Sequence, residues 1–175
     1  VPQADLGAFE EFVEHRLAAL FRYACVLTGD RHDAEDLVQE ALARTGAAWW
    51  RVRRRHDPEG YVRTAMVRIW ANRRRRRGRE HLTADPPERP VEDAGLDRVT
   101  GDAAFDAALA GLPPRMRAVL VLRYLDQLPD AEIAAVLGCS AGTVRSQAAR
   151  ALAKLRAAAA PPPQRSGTRE EEAHG

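Results

Sequence analysis

The sequence predicts an all-α fold made of two small helical domains joined by an acidic linker. Three observations predict it. Apolar residues recur at helical spacing from Phe9 to Trp70 and again from Phe105 to Leu155. Between these blocks, GREHLTADPPERPVEDAGLDRVTG (residues 78–101) holds three prolines, three glycines and few large apolar side chains, the composition of an extended linker. Nowhere does strand-like alternation persist beyond a few residues.

The 175 residues suffice for one ordinary domain or two small ones, and 45% apolar with 30% charged residues fits a globular chain. Aromatics make up only 6%, so the core must rest on Leu, Val, Ile and Ala. No apolar run approaches the ~18 residues of a membrane span, and no signal-peptide pattern opens the chain, which begins with Val. Membrane insertion is not expected. Cys25 and Cys139 are too few and too far apart for a disulfide framework, so a cytoplasmic protein is expected.

Taken in order, Phe9, Phe12, Val13, Leu17, Leu20, Phe21, Ala24 and Leu27 line one face of a first helix. Thr28-Gly29-Asp30 breaks it, and Asp30 can cap the next. The second helix carries Leu37, Val38, Ala41, Leu42 and Trp49 along one stripe, and RVRRRH reads as a basic loop after it. Asp57-Pro58 is an N-cap followed by proline at the first helical position, where the missing N–H costs nothing. The third helix buries Tyr61, Val62, Ala65, Met66, Ile69 and Trp70, then runs into Arg73 to Arg77. After the linker, periodicity returns at Phe105, Leu109 and Leu112, and resumes beyond Pro113-Pro114 through Met116, Val119, Leu120 and Leu122 to Leu125. The tail beyond Ala160 has no apolar periodicity and is expected to be disordered.

The final stretch, LPDAEIAAVLGCSAGTVRSQAARALAKLR from Leu128, reads as two helices and a tight turn. Asp130 can cap a helix running to Leu137, and Gly138 stands where the turn needs positive φ. Ser140 caps the second helix, and Ala134 is small where crossing helices approach closely. Ile133, Leu137, Val144, Ala148, Leu152 and Leu155 supply a shared core. The polar face of the second helix presents Thr143, Arg145, Ser146, Gln147 and Arg150. Arg and Gln can hydrogen-bond base edges, while Ser and Thr commonly grip phosphate. The motif alone says DNA binding.

Charge is segregated along the chain. Residues 1–50 carry 4 basic and 9 acidic side chains, residues 51–79 carry 12 and 2, residues 80–111 carry 2 and 8, and residues 112–160 carry 7 and 3. The dense basic block continues an apolar-periodic helix, which favours a polyanion partner over a merely solvated face.

DAEDLVQEAL at Asp33 to Leu42 and LPPRMRAVLVLRYLDQLPDAEIAAVLGCSAGTVRSQAARALAKLR at Leu112 to Arg156 together resemble the extracytoplasmic-function group of sigma-70-family sigma factors, and within it the SigE-like subgroup. The resemblance implies a promoter-specificity subunit of RNA polymerase, not an enzyme, and no cofactor. It implies region 2 at residues 8–79, a linker at 80–101, region 4 at 102–157 and a tail at 158–175. In the family, region 2 docks on a coiled coil of the polymerase β′ subunit and reads the −10 element. Region 4 sits under the β flap and reads the −35 element, and control by an anti-sigma factor is common. As family counterparts, Asp36, Gln39 and Glu40 would contact the polymerase core. Trp50, Arg53, Arg54, Arg68, Arg73, Arg74 and Arg76 would serve −10 DNA. Ser140, Thr143, Arg145, Ser146, Gln147 and Arg150 would serve −35 DNA. Many relatives carry Asn where Arg68 stands, and Arg donates hydrogen bonds without accepting them, so base readout there is expected to differ.

Two rivals are weaker. A stand-alone helix-turn-helix regulator should dimerise over paired half-sites, yet only AAAAPPP and a polar tail follow Arg156. A metal-dependent hydrolase is suggested by His32-Asp33 and His56-Asp57. Both Asp residues have local explanations at helix starts, and neither His belongs to a ligand-spaced cluster, so no metal site and no catalytic residue are expected.

Overall fold

The computed structural model describes residues 3–80 and 103–159, and both groups of described residues are helical. The linker expected at 80–101 and the tail beyond Ala159 lie outside them, apart from the end of the helix at Glu80. Helix α1 (Gln3–Thr28) buries Leu20, Tyr23, Ala24 and Leu27 on one stripe. It stops where Gly29 takes a left-handed φ of 72° and donates its N–H to the Cys25 carbonyl at 2.8 Å. Helix α2 (Arg31–Ala47) starts at once, because the Asp30 carboxylate accepts the Asp33 N–H at 2.8 Å. Its buried face is Ala34, Leu37, Val38, Ala41 and Thr45.

The stretch read as a basic loop begins with a helical turn, α3 (Trp49–Val52). Trp49 therefore opens α3 and does not close α2. It is 4% exposed, tilted against Phe9 and Phe12 with ring centroids at 5.2 and 4.8 Å. Val52, 1% exposed, is the second anchor of that turn. Helix α4 (Pro58–Glu80) begins as expected: the Asp57 carboxylate accepts the Gly60 N–H at 2.8 Å, and proline takes the first position. Val62, Met66, Val67, Ile69, Trp70 and Ala71 are buried on it, whereas Tyr61 and Ala65 are only half-buried.

The second domain comprises α5 (Ala103–Ala110), α6 (Pro114–Leu120), a π-helical turn (Val121–Leu125), α7 (Asp130–Leu137) and α8 (Ala141–Ala159). Periodicity predicts a continuous apolar face to Leu125. The π turn ends it earlier. Its extra residue offsets the register by about 100°, leaving Tyr124 and Leu125 more than half exposed beyond buried Val121 and Leu122. Phe105, expected in the core, is 42% exposed. Asp130 is not the cap of α7 but its first residue. Pro129 precedes it in extended conformation, and the Asp130 carboxylate instead receives the Arg123 guanidinium.

In the first domain α1, α2 and α4 pack against one another, and in the second α8 packs on α5, α6 and α7. The two are also in contact: α1 lies on α5 and α6, and α4 on α7. Buried side chains from Leu20 through Trp70 and from Leu109 through Ala151 thereby form one apolar cluster.

Candidate nucleic-acid interface

The helix-turn-helix follows from local chemistry. Gly138 closes α7 in the left-handed region, φ 65° and ψ 45°, with its N–H turned back to the Ala134 carbonyl. Ser140 then caps α8: its Oγ accepts the Thr143 N–H at 3.1 Å and lies 2.9 Å from the Thr143 hydroxyl. Val144, Ala148 and Ala151 bury one stripe of α8, which turns Arg145, Ser146, Ala149 and Arg150 fully outward and leaves Thr143 and Gln147 half-exposed. Of the predicted −35 residues, Arg145, Ser146 and Arg150 thus lie on the exposed side of α8, Thr143 and Gln147 flank its buried stripe, and Ser140 stands just before the helix. Two of them have local duties: Ser140 serves the cap, and the Ser146 hydroxyl donates to the Thr143 carbonyl at 2.9 Å.

In the first domain Asp36 and Gln39 are exposed on α2, while Glu40 is half-buried. Glu40 is no free acid. Its carboxylate receives Arg44 from its own helix and Arg73 from α4, the latter through Nε at 3.1 Å and a shorter bond from Nη2. Arg77 approaches Asp33 at 3.9 Å. The acidic side of α2 therefore neutralises part of the arginine run, and a residue expected to meet the polymerase is bonded to one expected to meet DNA.

Three other arginines of this basic stretch border aromatic rings. Arg51 lies over Trp50 at 5.2 Å, Arg55 over Tyr61 at 4.9 Å and Arg74 over Trp70 at 5.5 Å. Trp50 is 46% exposed, in contrast to buried Trp49 and Trp70. The Arg74 guanidinium has its pKa lowered, first by burial and then by the charges of Arg115 and Arg77. Arg53, Arg54 and Arg76 are exposed. Arg68, also exposed, borders an open cleft of about 180 Å³ between α2 and α4, with Arg44, Thr45, Tyr61, Thr64, Ala65 and Ile69 as the other walls. The Thr45 and Thr64 hydroxyls donate to the Ala41 and Gly60 carbonyls at 2.7 and 2.9 Å, so any further bond they make is as acceptors.

Sequence reasoning missed a second set of polar residues. Arg117 is 4% exposed on α6, and Tyr23 is 5% exposed on α1 with its hydroxyl 2.6 Å from the Asp126 carboxylate. Tyr23 has its pKa raised well above the ordinary value, chiefly by burial and next by the Asp126 charge. Among the described residues, no helix is long and apolar enough to cross a membrane.

With this geometry in view, the chain was compared with known proteins. Residues 12–80 match the family model for Sigma-70 region 2, and residues 102–155 match that for Sigma-70, region 4. The chain is 41% identical over 149 residues to the RNA polymerase sigma-E factor of Streptomyces coelicolor, covering 85% of this chain and 84% of that protein. It is 35% identical over 164 residues to the ECF RNA polymerase sigma factor SigE of Mycolicibacterium smegmatis, covering 88% of this chain and 62% of the other. In fold it is similar, with a TM-score of 0.56 and 23% identity, to a chain in the co-crystal structure of the sigma factor RpoE with the anti-sigma factor NepR from Bartonella quintana. That match covers 87% of this chain and 96% of the other.

Proposed function

Because this chain belongs to the extracytoplasmic-function group of the sigma-70 family of RNA polymerase sigma factors, we propose a division of labour between its two domains. Residues 8–79 dock on the β′ coiled coil of the polymerase core and capture the −10 element. Residues 102–157 sit under the β flap and read the −35 element, and the segment between them joins the two. The chain works in the cytoplasm and is not an enzyme. An anti-sigma factor is a fitting regulator, since the RpoE chain of similar fold was crystallised with one.

The outward face of α8 carries this reading. Arg145 and Arg150 stand exposed on a helix whose start and turn are both fixed by caps. Side chains so presented suit base edges and phosphates in a major groove. For the −10 element, the cleft bordered by Arg68 has room for one unstacked planar ring, and Trp50 with exposed Arg53, Arg54 and Arg76 suits a single strand held by its phosphates. Half-buried Arg73, paired with Glu40, and exposed Arg74 belong to the same channel. On α2, Asp36 and Gln39, with Glu40 behind them, are the core-binding edge.

Run-off transcription with purified polymerase core tests the scheme. Promoter-selective initiation should appear only when this chain is added. Arg145→Ala should weaken −35-dependent promoters by about 5- to 150-fold, on the ~1–3 kcal/mol that a good base contact carries, while binding to core stays intact. Asp36→Ala should do the reverse. Loss of core association in Arg145→Ala would overturn the division of labour.

A further inference from the structure

The cleft between α2 and α4 combines apolar walls with a divided set of polar groups. Tyr61, Thr64, Ala65 and Arg68 stand at i, i+3, i+4 and i+7 on α4, so they share one face of that helix. The end of α2 brings Arg44 and Thr45 to the same cleft, and Ile69 is a buried part of its lining. The Tyr61 ring with the aliphatic carbon of Ala65 and Ile69 suits the flat face of a base. An apolar cavity of ~150 Å³ holds a benzene ring. An open cleft of about 180 Å³ therefore admits the six-membered ring of a base and leaves its far edge outside.

The Thr45 and Thr64 hydroxyls donate to the Ala41 and Gly60 carbonyls, so toward a ligand each is an acceptor. Thr45 is buried and Thr64 exposed, so these acceptors span the cleft from its enclosed side to its open side. Of the two guanidiniums, that of Arg44 is held by the Glu40 carboxylate. Arg68 is exposed and has no hydrogen-bond or ion-pair partner among the described residues. Its planar fork of N–H donors is left for a ligand.

We propose that this cleft selects guanine from the −10 single strand, an assignment that rests on the proposed capture of that strand by the first domain. Arg68 reads O6 and N7, and the two threonine oxygens take the N1–H and N2 amino donors. Guanine carries O6 and N7 side by side, the pair to which a guanidinium fork binds twice. Beyond O6 its next edge holds only donors, which two acceptor hydroxyls satisfy. Cytosine and adenine present an amino group where guanine has O6, so donor would face donor at Arg68. Thymine keeps an acceptor there but has no N7, which leaves one bond in place of two. A phosphate would meet Arg68 but brings no donor to the threonine oxygens and nothing to the apolar walls.

Binding of fluorescent single-stranded −10 oligonucleotides to polymerase holoenzyme assembled with the full chain tests the assignment, each position being varied through the four bases. At one position guanine should bind about 5- to 150-fold more tightly than adenine. There 7-deazaguanine, which lacks N7, should lose about 2- to 10-fold, and inosine, which lacks the N2 amino group, a similar factor. Arg68→Lys keeps the charge without the fork, so it should bind guanine and 7-deazaguanine alike while remaining sensitive to inosine. The base analogues need no variant, so the wild type alone already tests the cleft. Equal binding of the four bases, or preference for another base at every position, would overturn the choice of guanine. If 7-deazaguanine binds the wild type as tightly as guanine, or Arg68→Lys retains the full loss, Arg68 does not read the base. A wild-type holoenzyme that binds none of the strands would instead overturn the capture of the −10 element itself.

Discussion

At the scale of single residues, positions with local partners were the legible ones. Asp30, Asp57, Gly138 and Ser140 each act within a few residues of themselves, so residue type and spacing sufficed to place them. Arg117 and Tyr23 had no such signature, because their partners lie 90 and 103 residues away. In sequence, Arg117 is one more arginine near a helix start. Gly138 gives the sharpest residue-scale prediction. Its φ of 65° is costly for any residue with a Cβ, and a Cβ there would press on Arg75. Gly138→Ala should therefore destabilise the protein by about 1–2 kcal/mol, a fall of about 2–8 °C in thermal midpoint. An unchanged midpoint by circular dichroism would mean that the turn relaxes freely.

At the scale of elements, caps and stripes located α1, α2, α4 and α8, whereas two features were hidden. The α3 turn was masked by the arginines around Val52, since a single buried apolar residue makes no period. The π turn was hidden because Val121, Leu122, Tyr124 and Leu125 are all apolar enough to extend the helix pattern, and only packing decides that the last two face outward. For α8, Ser140→Ala should cost about 1 kcal/mol in chemical denaturation, and Ser140→Asp should restore most of it, as both serine and aspartate cap well. For α4, exposed Arg76 should contribute one phosphate contact to a −10 single strand. Arg76→Ala is then expected to reduce the slope of log affinity against log salt by about 0.7. An unaltered slope in a titration of polymerase holoenzyme with single-stranded −10 DNA would remove Arg76 from the channel.

At the scale of the whole molecule, two domains could be read from the sequence but their contact could not, because the linker composition implies independence while the joint apolar cluster requires association. That cluster predicts cooperative behaviour. Leu27 is fully buried where α1 meets the second domain, so Leu27→Ala should cost about 2–5 kcal/mol. Calorimetry should show one transition for the wild type, and hydrogen exchange in Leu27→Ala should accelerate in α8 as well as in α1. Protection lost in α1 alone would show that the domains unfold separately. The Arg117 contact has a further consequence for how such a chain can change over generations. Its cross-domain acceptors are main-chain carbonyls, which no substitution removes while α1 keeps its end. Drift along α1 can thus replace many side chains and leave the contact whole. Two positions can erase it directly: the arginine that donates to the Leu27 and Thr28 carbonyls, and the glycine whose missing side chain leaves it room.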